Sequence, residues 1–591
     1  MSEGTGTDWI TDQHPVFHTM SFAVPKKHAV PLEGGPREAA VLSMLARYKE
    51  VFGMRDPVVE WKHFRTNLDD QGFSHLRFYQ QSRGVRVYGG DWIASVNARG
   101  ELASMSGVYV PGVDAVDLSP TQTREQAADA ARGDVKREWR GAANIGAEAS
   151  PDPLIYAAEG VPPALAFAVR TDTVVDGFRH TDDSFVDAHT GAVLGRFDAT
   201  HSQGATPYAS GRSSKSYPPY NVQATDIRFP VSASNPPILD GRTRSGVRIQ
   251  TLSHTSSDPI TGSSLTNWTD TTRPSGAAID AQANLARVVD AYEDLYKRKS
   301  FGDGKDVLAY INANDKGPIN ASMETDPFSG LFGWCNASFY FGDGDPARGY
   351  FPLSAAVDIV AHEFTHAIAL CAWGGSIVPT PKAVDEAMSD ILAMFITSKI
   401  EGGHPTALGR STNVRHQPLR DLANPPCDRM DALSDTSLCP TYKFGWLDRP
   451  EPHSAGGIIT YAWYLMTFGG THKSTGQRVP CGLGWERSSR LWYQVQANEM
   501  PSSPDYKAAA NATLSAGRKQ NAPLQPIACA WVAAQVLKAD DVKKQWNVDC
   551  PGASDAGVDS SPDGSSGIPD GGLYDPNAGP LVVCPAGPLI P

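Results

Sequence analysis

The sequence predicts an α+β protein of two or three domains, and three observations carry this prediction. The chain has 591 residues, more than one compact domain usually contains. Hydrophobic residues make up 41% and charged residues 20% of it, which is enough for sizeable buried cores. Strand and turn signals dominate before residue 205, whereas helical periodicity dominates after residue 222.

The charge balance and the hydropathy pattern exclude several classes of function. Lys and Arg number 52 and Asp and Glu number 65, so the formal net charge is −13. A net negative surface argues against binding nucleic acid or an anionic membrane through bulk electrostatics. No apolar run approaches the roughly 18 residues that a membrane-spanning helix needs. We therefore expect a soluble protein with no nucleic-acid partner and no membrane span.

Residues 1–205 are predicted to form the first folded region. It begins with a helix over 36–51 and continues with strands over 78–81, 86–91 and 92–96. Two further strands, over 184–187 and 192–195, close the region. Residues 206–221 are rich in Ser, Gly and Pro and predict an exposed linker of the kind that proteases cut.

Residues 222–552 are predicted to form a helix-rich domain, followed by a disordered low-complexity tail over 553–591. All eight cysteines lie at or after residue 335, and their even number and wide spacing are typical of disulfides in an oxidising compartment. Cys427 and Cys439 are the most plausible local pair. Eight buried thiols in a cytosolic protein are the alternative. The amino terminus lacks the basic and apolar regions of a signal peptide, so the export route stays open.

A candidate metal site lies in the segment 358–370. Its apolar residues follow a helical period, which places His362 and His366 one turn apart on one helix face. Two imidazoles at this spacing can bind one Zn²⁺, and Glu363 lies on a neighbouring face, where it can contact metal-bound water. Two surface histidines on a helix are the alternative interpretation.

A second predicted helix, over 384–395, is apolar except for two acidic residues one turn apart, Glu386 and Asp390. Carboxylates in an apolar helix are costly unless they are paired or bind a cation. Glu386 as third ligand would leave a fourth position open, which is the arrangement of a catalytic zinc site. Asp390 could then accept the free N–H of a ligating histidine. A dipole partner and a solvated aspartate are the alternative.

These residues together resemble the thermolysin-like metalloproteases, the M4 family. The segment 448–465 resembles the one in which a histidine, here His453, stabilises the transition state and an aspartate, here Asp448, orients it. The stretch 419–425 is similar to the one that supplies a substrate-contacting arginine, here Arg420. The resemblance implies a two-lobed α+β catalytic domain, with a sheet-rich lobe before and a helical lobe after the histidine-bearing helix.

The same resemblance implies substrate and calcium contacts. Asn336 and Ala337 are similar to the start of the family's substrate-edge strand, in a shortened form, and the segment 278–296 is similar to its long early helix. Ile359 and Leu419 are implied to line the S1′ pocket, which favours a bulky apolar residue after the scissile bond. Asp358 matches one calcium ligand. Acidic ligands of the family are replaced by Thr397 and Arg410, so calcium dependence is expected to be weaker than in the family, with disulfides partly replacing calcium.

The amino-terminal half resembles the family's propeptide. Residues 79–91 look like the fungalysin/thermolysin propeptide motif, and residues 185–191 look like a PepSY-type module. The resemblance implies a secreted, monomeric enzyme that acts on polypeptides. It also implies a zymogen whose own prodomain serves as inhibitor and chaperone until self-cleavage between about residues 198 and 221.

Two departures from the family pattern keep other functions open. Ile377 stands where the family usually has a tyrosine, and Asp385 precedes Glu386 where an asparagine is usual. The leading hypothesis is a zinc-dependent endopeptidase. The alternatives are a catalytically impaired relative that uses its zinc site for binding, and a cytosolic hydrolase that is not a protease.

Overall fold

A computed structural model describes most of the chain. The described residues are 1–14, 16–69, 71–138, 143–157, 162–175, 178–198, 208–211, 215, 227–230, 239–254, 273–302, 304–314, 317–325, 336–373, 382–425, 431–432, 452–501, 504–551 and 583–584. Within these ranges, no helix has the combination of length and apolarity that crossing a bilayer requires.

The amino-terminal half consists of β-sheet with helices packed on it. Its elements are α1 (Ser2–Thr5), β1 (Trp9–Gln13), β2 (Met20–Pro25), β3 (Val30–Pro31), α2 (Arg37–Arg47), α3 (Lys49–Phe52), α4 (Pro57–Glu60), β4 (Trp61–Leu68), β5 (Ser74–Ser82), β6 (Val85–Val96), β7 (Glu101–Val108), α5 (Arg124–Glu138), β8 (Ala143–Ala149), β9 (Leu154–Tyr156), β10 (Ala164–Val175), β11 (Phe178–Asp187) and β12 (Val193–Asp198). Strands are confirmed at all the predicted positions, but those predicted over 86–91 and 92–96 form one continuous strand, β6. The predicted helix over 36–51 is divided at Tyr48, which leaves the helical conformation.

Two modules make up this half. In the first module (α1–α4 with β1–β7), the main strand order is β1-β2-β7-β6-β5-β4, and β3 pairs with β7. In the second (α5 with β8–β12), β10 pairs with β8, β9 and β11, and β11 pairs with β12. Parallel pairing of β6 with β9 joins the modules into one sheet. Each module has an apolar core of its own, around Trp92 in the first and around Ala131 in the second.

The next part of the chain contains a sheet followed by the helices that carry the predicted ligands. Its elements are β13 (Tyr208–Gly211), β14 (Ile227–Pro230), β15 (Asp240–Arg242), β16 (Arg248–Ser253), α6 (Arg273–Tyr296), β17 (Val307–Ile311), β18 (Ala321–Thr325), β19 (Ala337–Phe341), α7 (Val357–Ala372), α8 (Lys382–Glu401), β20 (Ala407–Leu408) and β21 (Arg420–Asp421). Five strands follow the order β15-β16-β17-β19-β18, with β18 at one edge.

A helical lobe completes the described chain. Its elements are α9 (Pro452–Ala455), α10 (Gly457–Phe468), β22 (Gly470–Thr471), β23 (Arg478–Val479), α11 (Trp485–Gln494), a π-helix (Val495–Glu499), α12 (Tyr506–Lys519), α13 (Leu524–Ala533) and α14 (Ala539–Trp546). The sheet-rich lobe therefore precedes α7 and the helical lobe follows it, so the predicted α+β architecture is confirmed.

The helix α7 lies inside the largest apolar cluster of the molecule, and all 16 of its residues are buried. The ring of Phe364 packs against those of Phe301 and Phe339, with centroids 5.9 and 5.7 Å apart. The hydroxyl groups of Thr365 and Tyr292 lie 2.6 Å apart and join α7 to α6. Because close-packed cores resist shifts of their elements, these contacts fix the position of α7.

The five cysteines among the described residues are all disulfide-bonded. Two bridges are Cys481–Cys584 and Cys529–Cys550, and Cys371 is bonded as well. The predicted pair of Cys427 and Cys439 lies outside the described residues, as does most of the predicted tail. Cys584 within that tail is attached to the helical lobe by its disulfide.

Candidate metal centre and active site

Two packed helices, α7 and α8, bring the predicted metal ligands together. His362 and His366 lie one turn apart on α7, and Glu386 lies on the second turn of α8. The Nε2 atoms of the two histidines are 3.0 Å apart. The Glu386 Oε2 atom lies 3.2 Å from Nε2 of His362 and 3.6 Å from Nε2 of His366. Among the described residues, this is the one group of three or more side chains able to hold a metal ion.

Two carboxylates orient the histidines. Asp390 Oδ1 lies 2.9 Å from Nδ1 of His362, and Asp385 Oδ2 lies 2.7 Å from Nδ1 of His366. Because ionised carboxylates only accept hydrogen bonds, each Nδ1 carries a hydrogen atom, and the Nε2 atom of each ring points into the site. The Ser389 hydroxyl lies a further 3.1 Å from Nδ1 of His366.

This donor set fits Zn²⁺. Two nitrogen lone pairs and a carboxylate oxygen that converge on one point repel each other unless a cation or a proton lies between them. Tetrahedral Zn²⁺ with bonds of about 2.0–2.1 Å separates its ligands by about 3.3 Å, close to the spacing seen here. His₂Glu is also the ligand set of zinc sites that keep a fourth position for water.

The charges of the site shift the pKa values of two ligands. Burial acts to lower the pKa of His366, but the charges of Asp385 and Glu386 outweigh it and raise this pKa well above its usual value. Burial acts to raise the pKa of Glu386, but the charges of His453 and His366 outweigh it and lower this pKa well below its usual value. Metal binding would therefore replace a proton at His366.

Arg420 supports the outer side of the site. From β21, its Nε lies 3.0 Å from Oδ2 of Asp390 and its Nη2 lies 2.7 Å from Oδ1, a two-pronged pairing. The Asp390 side chain is only 1% exposed, so this pairing compensates a buried negative charge. Arg420 thus holds the carboxylate that orients His362.

Glu363 and His453 lie beside the ligands. The Glu363 side chain is buried on α7, next to His362 in sequence, and makes no hydrogen bond or ion pair to a described residue. His453 lies in the short helix α9, and its Nε2 is 3.0 Å from Oε2 of Glu386. Asp448, predicted to orient His453, and Ile377 lie outside the described residues.

Three protein-family models match the chain in the order of its structural parts. The fungalysin/thermolysin propeptide motif matches residues 59–109. The catalytic domain of the thermolysin metallopeptidases matches residues 238–369, and their alpha-helical domain matches residues 380–536. Together the three models cover more than half of the chain. The chain belongs to the thermolysin family of metallopeptidases.

Individual relatives agree with this family. Bacillolysin of Brevibacillus brevis is 24% identical over 496 residues, which cover 82% of this chain and 85% of the relative. Neutral protease B of Bacillus subtilis (strain 168) is 24% identical over 532 residues, which cover 86% of this chain and 91% of the relative. Among solved structures, the precursor of protealysin, a metalloproteinase from Serratia proteamaculans, matches with a TM-score of 0.37 and 17% identity, over 49% of this chain and 88% of that one.

The family models and the His₂Glu cluster identify a zinc metalloendopeptidase with an amino-terminal propeptide. His362, Glu363 and His366 lie in the part matched by the catalytic-domain model, and Glu386 lies in the part matched by the alpha-helical-domain model. The PepSY-like assignment of residues 185–191 and the exact domain boundaries stay predictions.

The placement of Asn336 and Ala337 on an edge strand is wrong, whereas their contact with substrate stays a prediction. Ala337 begins β19, which pairs with β17 on one side and with β18 on the other, so it is not an edge strand. Ala337 is fully buried, and the side-chain oxygen of Asn336 accepts a hydrogen bond from Lys305. Among the described strands, the edge of this sheet is β18, which begins at Ala321 directly after Asn320. The chain contains the tripeptide Asn-Ala-Ser twice, at 320–322 and 336–338, and the predicted strand corresponds to the interior copy.

The two residues predicted to line the S1′ pocket lie on different elements. Ile359 is buried on α7, one turn before His362 and Glu363. Leu419 is 38% exposed and directly precedes Arg420. Ile359 is therefore close to His362 and Glu363, and Leu419 is next to Arg420.

Asp358, the predicted calcium ligand, bonds to backbone groups. Its Oδ2 atom accepts a hydrogen bond from the backbone N–H of Gly409 at 2.6 Å, and its Oδ1 atom accepts one from Ile359 at 3.0 Å. Burial raises the pKa of this carboxyl group. Asp358 is not part of a second metal-ligating group among the described residues.

The positions of Asp385 and Ser389 beside His366 were not predicted. Asp385 departs from the family pattern, yet this carboxylate is the partner of His366. A helical signal was present, because positions 385 and 389 are one turn apart on the helix that also carries Glu386 and Asp390.

Proposed function

We propose that this chain is a self-processing zymogen whose mature form cleaves internal peptide bonds before bulky apolar residues. The convergence of three metal-ligating atoms beside Glu363, the one carboxylate of the site without an ion pair to a described residue, carries the proposal. The other three carboxylates, of Asp385, Glu386 and Asp390, each lie against a histidine.

Glu363 is proposed as the general base. It takes a proton from the attacking water and later delivers it to the leaving amine. Zn²⁺ held by His362, His366 and Glu386 would act as a Lewis acid that lowers the pKa of a water molecule and polarises the peptide carbonyl. Glu363 follows His362 directly on a helix fixed in the core, so one rigid element holds both the base and two of the ligands.

His453 and Arg420 are proposed to stabilise the negative charge that develops on the carbonyl oxygen. His453 is 41% exposed and lies next to Glu386, so it can reach a substrate on the open side of the site. The Nε and Nη2 groups of Arg420 are occupied by Asp390, which leaves its Nη1 group for a substrate carbonyl. Loss of one such donor typically lowers the rate by about 10²–10³-fold.

We propose that the substrate backbone pairs with the edge strand β18. An extended peptide can add to an exposed sheet edge through main-chain hydrogen bonds. β18 lies against α7, which places that edge beside the helix carrying Glu363. Ile359 and Leu419 would then supply the apolar surface for the residue after the scissile bond.

Wild-type protein compared with Glu363→Gln tests the proposal. Both proteins are incubated with casein and with a denatured protein mixture, and their zinc content is measured. We expect one zinc per chain in both, cleavage before bulky apolar residues by the wild type, and a loss of about 10²–10⁴-fold in Glu363→Gln. The wild type should also cut itself between about residues 198 and 221, whereas Glu363→Gln stays full-length. Equal, negligible activity of the two would instead support a binding protein.

Further proposals concern the form in which the enzyme works. The prodomain inhibits the enzyme until it is cut, the protein is exported, and the mature enzyme is a monomer. The bonding of Asp358 to backbone N–H groups supports weak calcium dependence. Heat inactivation with and without added calcium tests this last point, and strong protection by calcium would contradict it.

A further inference from the structure

The sheet of the first module has two different faces. On one face, Leu76, Phe78, Trp92, Ala94 and Met105 are buried in the module's own core with α2. Successive residues of a strand alternate between faces, so the residues between these belong to the opposite face. That opposite face carries charged and hydroxyl side chains, and it contacts the helical lobe and the end of α7.

One row of directly paired residues crosses six strands on this opposite face. Its members, in register from β4 to β1, are Arg65, Arg77, Ile93, Ser106, Phe22 and Asp12. Phe22 packs against Trp546 with ring centroids 6.5 Å apart, and Asp12 forms an ion pair with Lys507 at 2.8 Å. We call this set the docking row.

The two arginines of the docking row bond to the ends of two helices. Nη2 of Arg65 donates to the backbone carbonyl of Ala372, the last residue of α7, at 2.9 Å. Nη2 of Arg77 donates to the carbonyl of Met500, directly after the π-helix, at 3.0 Å. Carbonyl groups at a helix C-terminus have no partner within the helix and carry partial negative charge, which favours a cation.

This arrangement is unfavourable for the module by itself. Arg65 and Arg77 are direct cross-strand partners, and like charges in that position repel each other. Arg77 is only 1% exposed, and burial together with the charge of Arg65 lowers its pKa to about 9. Asp91 of the same module and Glu499 of the π-helix oppose this shift, and the carbonyl groups that accept from the two arginines lie outside the module.

The two helix ends are themselves connected. The indole N–H of Trp373, the residue after α7, donates to the carbonyl of Gln496 in the π-helix at 2.9 Å. Ala372 follows the ligand His366 by six residues, about 9 Å along the helix axis. Arg65 and Arg77 therefore bind two helix ends that are hydrogen-bonded to each other. One of these ends belongs to α7, the helix that carries His362 and His366.

We propose that Arg65 and Arg77 make the first module a clamp on the C-terminal end of the metal-ligand helix. Docking of the module holds the last turn of α7 and the π-helix in place, and departure of the module loosens both. The inference rests on the proposed zymogen function in one respect: the first module is taken to be removed when the mature enzyme forms.

Hydrogen exchange of the full-length chain tests the clamp. All variants carry Glu363→Gln, so that proteolysis has no part in the result and a failure of the proposed function is seen separately. We expect Arg65→Ala to speed exchange of the amides of residues 369–373 by about 3- to 10-fold, because the end of α7 loses its cationic partner. Arg65→Lys should restore part of the protection. Zinc loss to a chelator should be about 3-fold faster in Arg65→Ala.

Arg99→Ala is the matched control, because Arg99 is 74% exposed and pairs with Glu101 inside the same module. It should leave exchange of α7 unchanged. Arg77 is fully buried, so its test uses Arg77→Lys rather than an alanine substitution. This variant should speed hydrogen exchange of the amides in the π-helix. Unchanged exchange at residues 369–373 in Arg65→Ala, or an equal change in Arg99→Ala, would overturn the proposal.

Discussion

The two histidines of the metal centre lie on one helix but have different surroundings. The partner of His362 is Asp390, which is almost fully buried and paired on its other side with Arg420. The partner of His366 is Asp385, which is 8% exposed and shares the imidazole with the hydroxyl of Ser389. The charge of Asp390 is therefore compensated by the positive charge of Arg420. At His366, the group beside Asp385 is the neutral hydroxyl of Ser389.

This difference shows that two histidines of one metal site can differ in how strongly they depend on the carboxylates that orient them. A buried ion pair that loses one member leaves the other charge uncompensated, which is strongly destabilising. A carboxylate next to a hydroxyl can lose its charge and still leave an acceptor for the imidazole N–H. His362 should therefore be the more vulnerable ligand when its partner is changed.

The largest effect is expected from Asp390→Asn. The variant removes the charged acceptor of His362 and the partner of Arg420, so zinc binding should weaken by about 100-fold. The free energy of unfolding should fall by about 3 kcal/mol. Competition with a chromogenic chelator and urea unfolding, both in the Glu363→Gln background, measure the two quantities. Asp541→Asn, which removes the same charge from the exposed side of α14, serves as control. Zinc affinity within threefold of the parent would contradict the comparison.

A smaller effect is expected from Asp385→Asn. The asparagine oxygen can still accept the Nδ1–H of His366, so zinc binding should weaken by about 10-fold. The free energy of unfolding should change by no more than about 1 kcal/mol, because no arginine is left unpaired and Glu386 still lies against His366. The same chelator competition applies. A loss as large as that of Asp390→Asn would show that the two histidines are held alike.

The smallest effect is expected from Ser389→Ala. The hydroxyl is the second partner of His366, at 3.1 Å, and alanine suits the interior of α8. Zinc dissociation, followed by stopped-flow with a chelator, should be faster by about 2-fold. An acceleration beyond about 10-fold would mean that Ser389, rather than Asp385, fixes the imidazole ring.

The local part of the metal centre could be predicted from the sequence. Helical periodicity places His362 and His366 on one face, and an acidic pair inside an apolar helix points to Glu386 and Asp390. Such inferences need only the geometry of a single helix. The same helix geometry could also have predicted a role for Asp385, which directly precedes Glu386. Because asparagine is usual at this position in the family, Asp385 was instead interpreted as a departure.

The long-range part could not be predicted. Arg420 meets Asp390 from a short strand thirty residues further along the chain, and nothing in the spacing indicates that contact. The error at Ala337 has a similar cause, because strand order decides which of the two Asn-Ala-Ser segments lies at the sheet edge. The docking row likewise depends on the register of six strands, which hydrophobic alternation does not specify between polar positions.

The disulfide between Cys481 and Cys584 spans 103 residues of sequence and ties the final part of the chain back to the helical lobe. A cut anywhere between Cys550 and Cys584 would therefore not release a fragment. The product would be a nicked molecule of two polypeptides with unchanged mass apart from one added water, and only a reducing agent would separate the pieces. Electrophoresis with and without such an agent would thus report hidden nicking that activity measurements overlook.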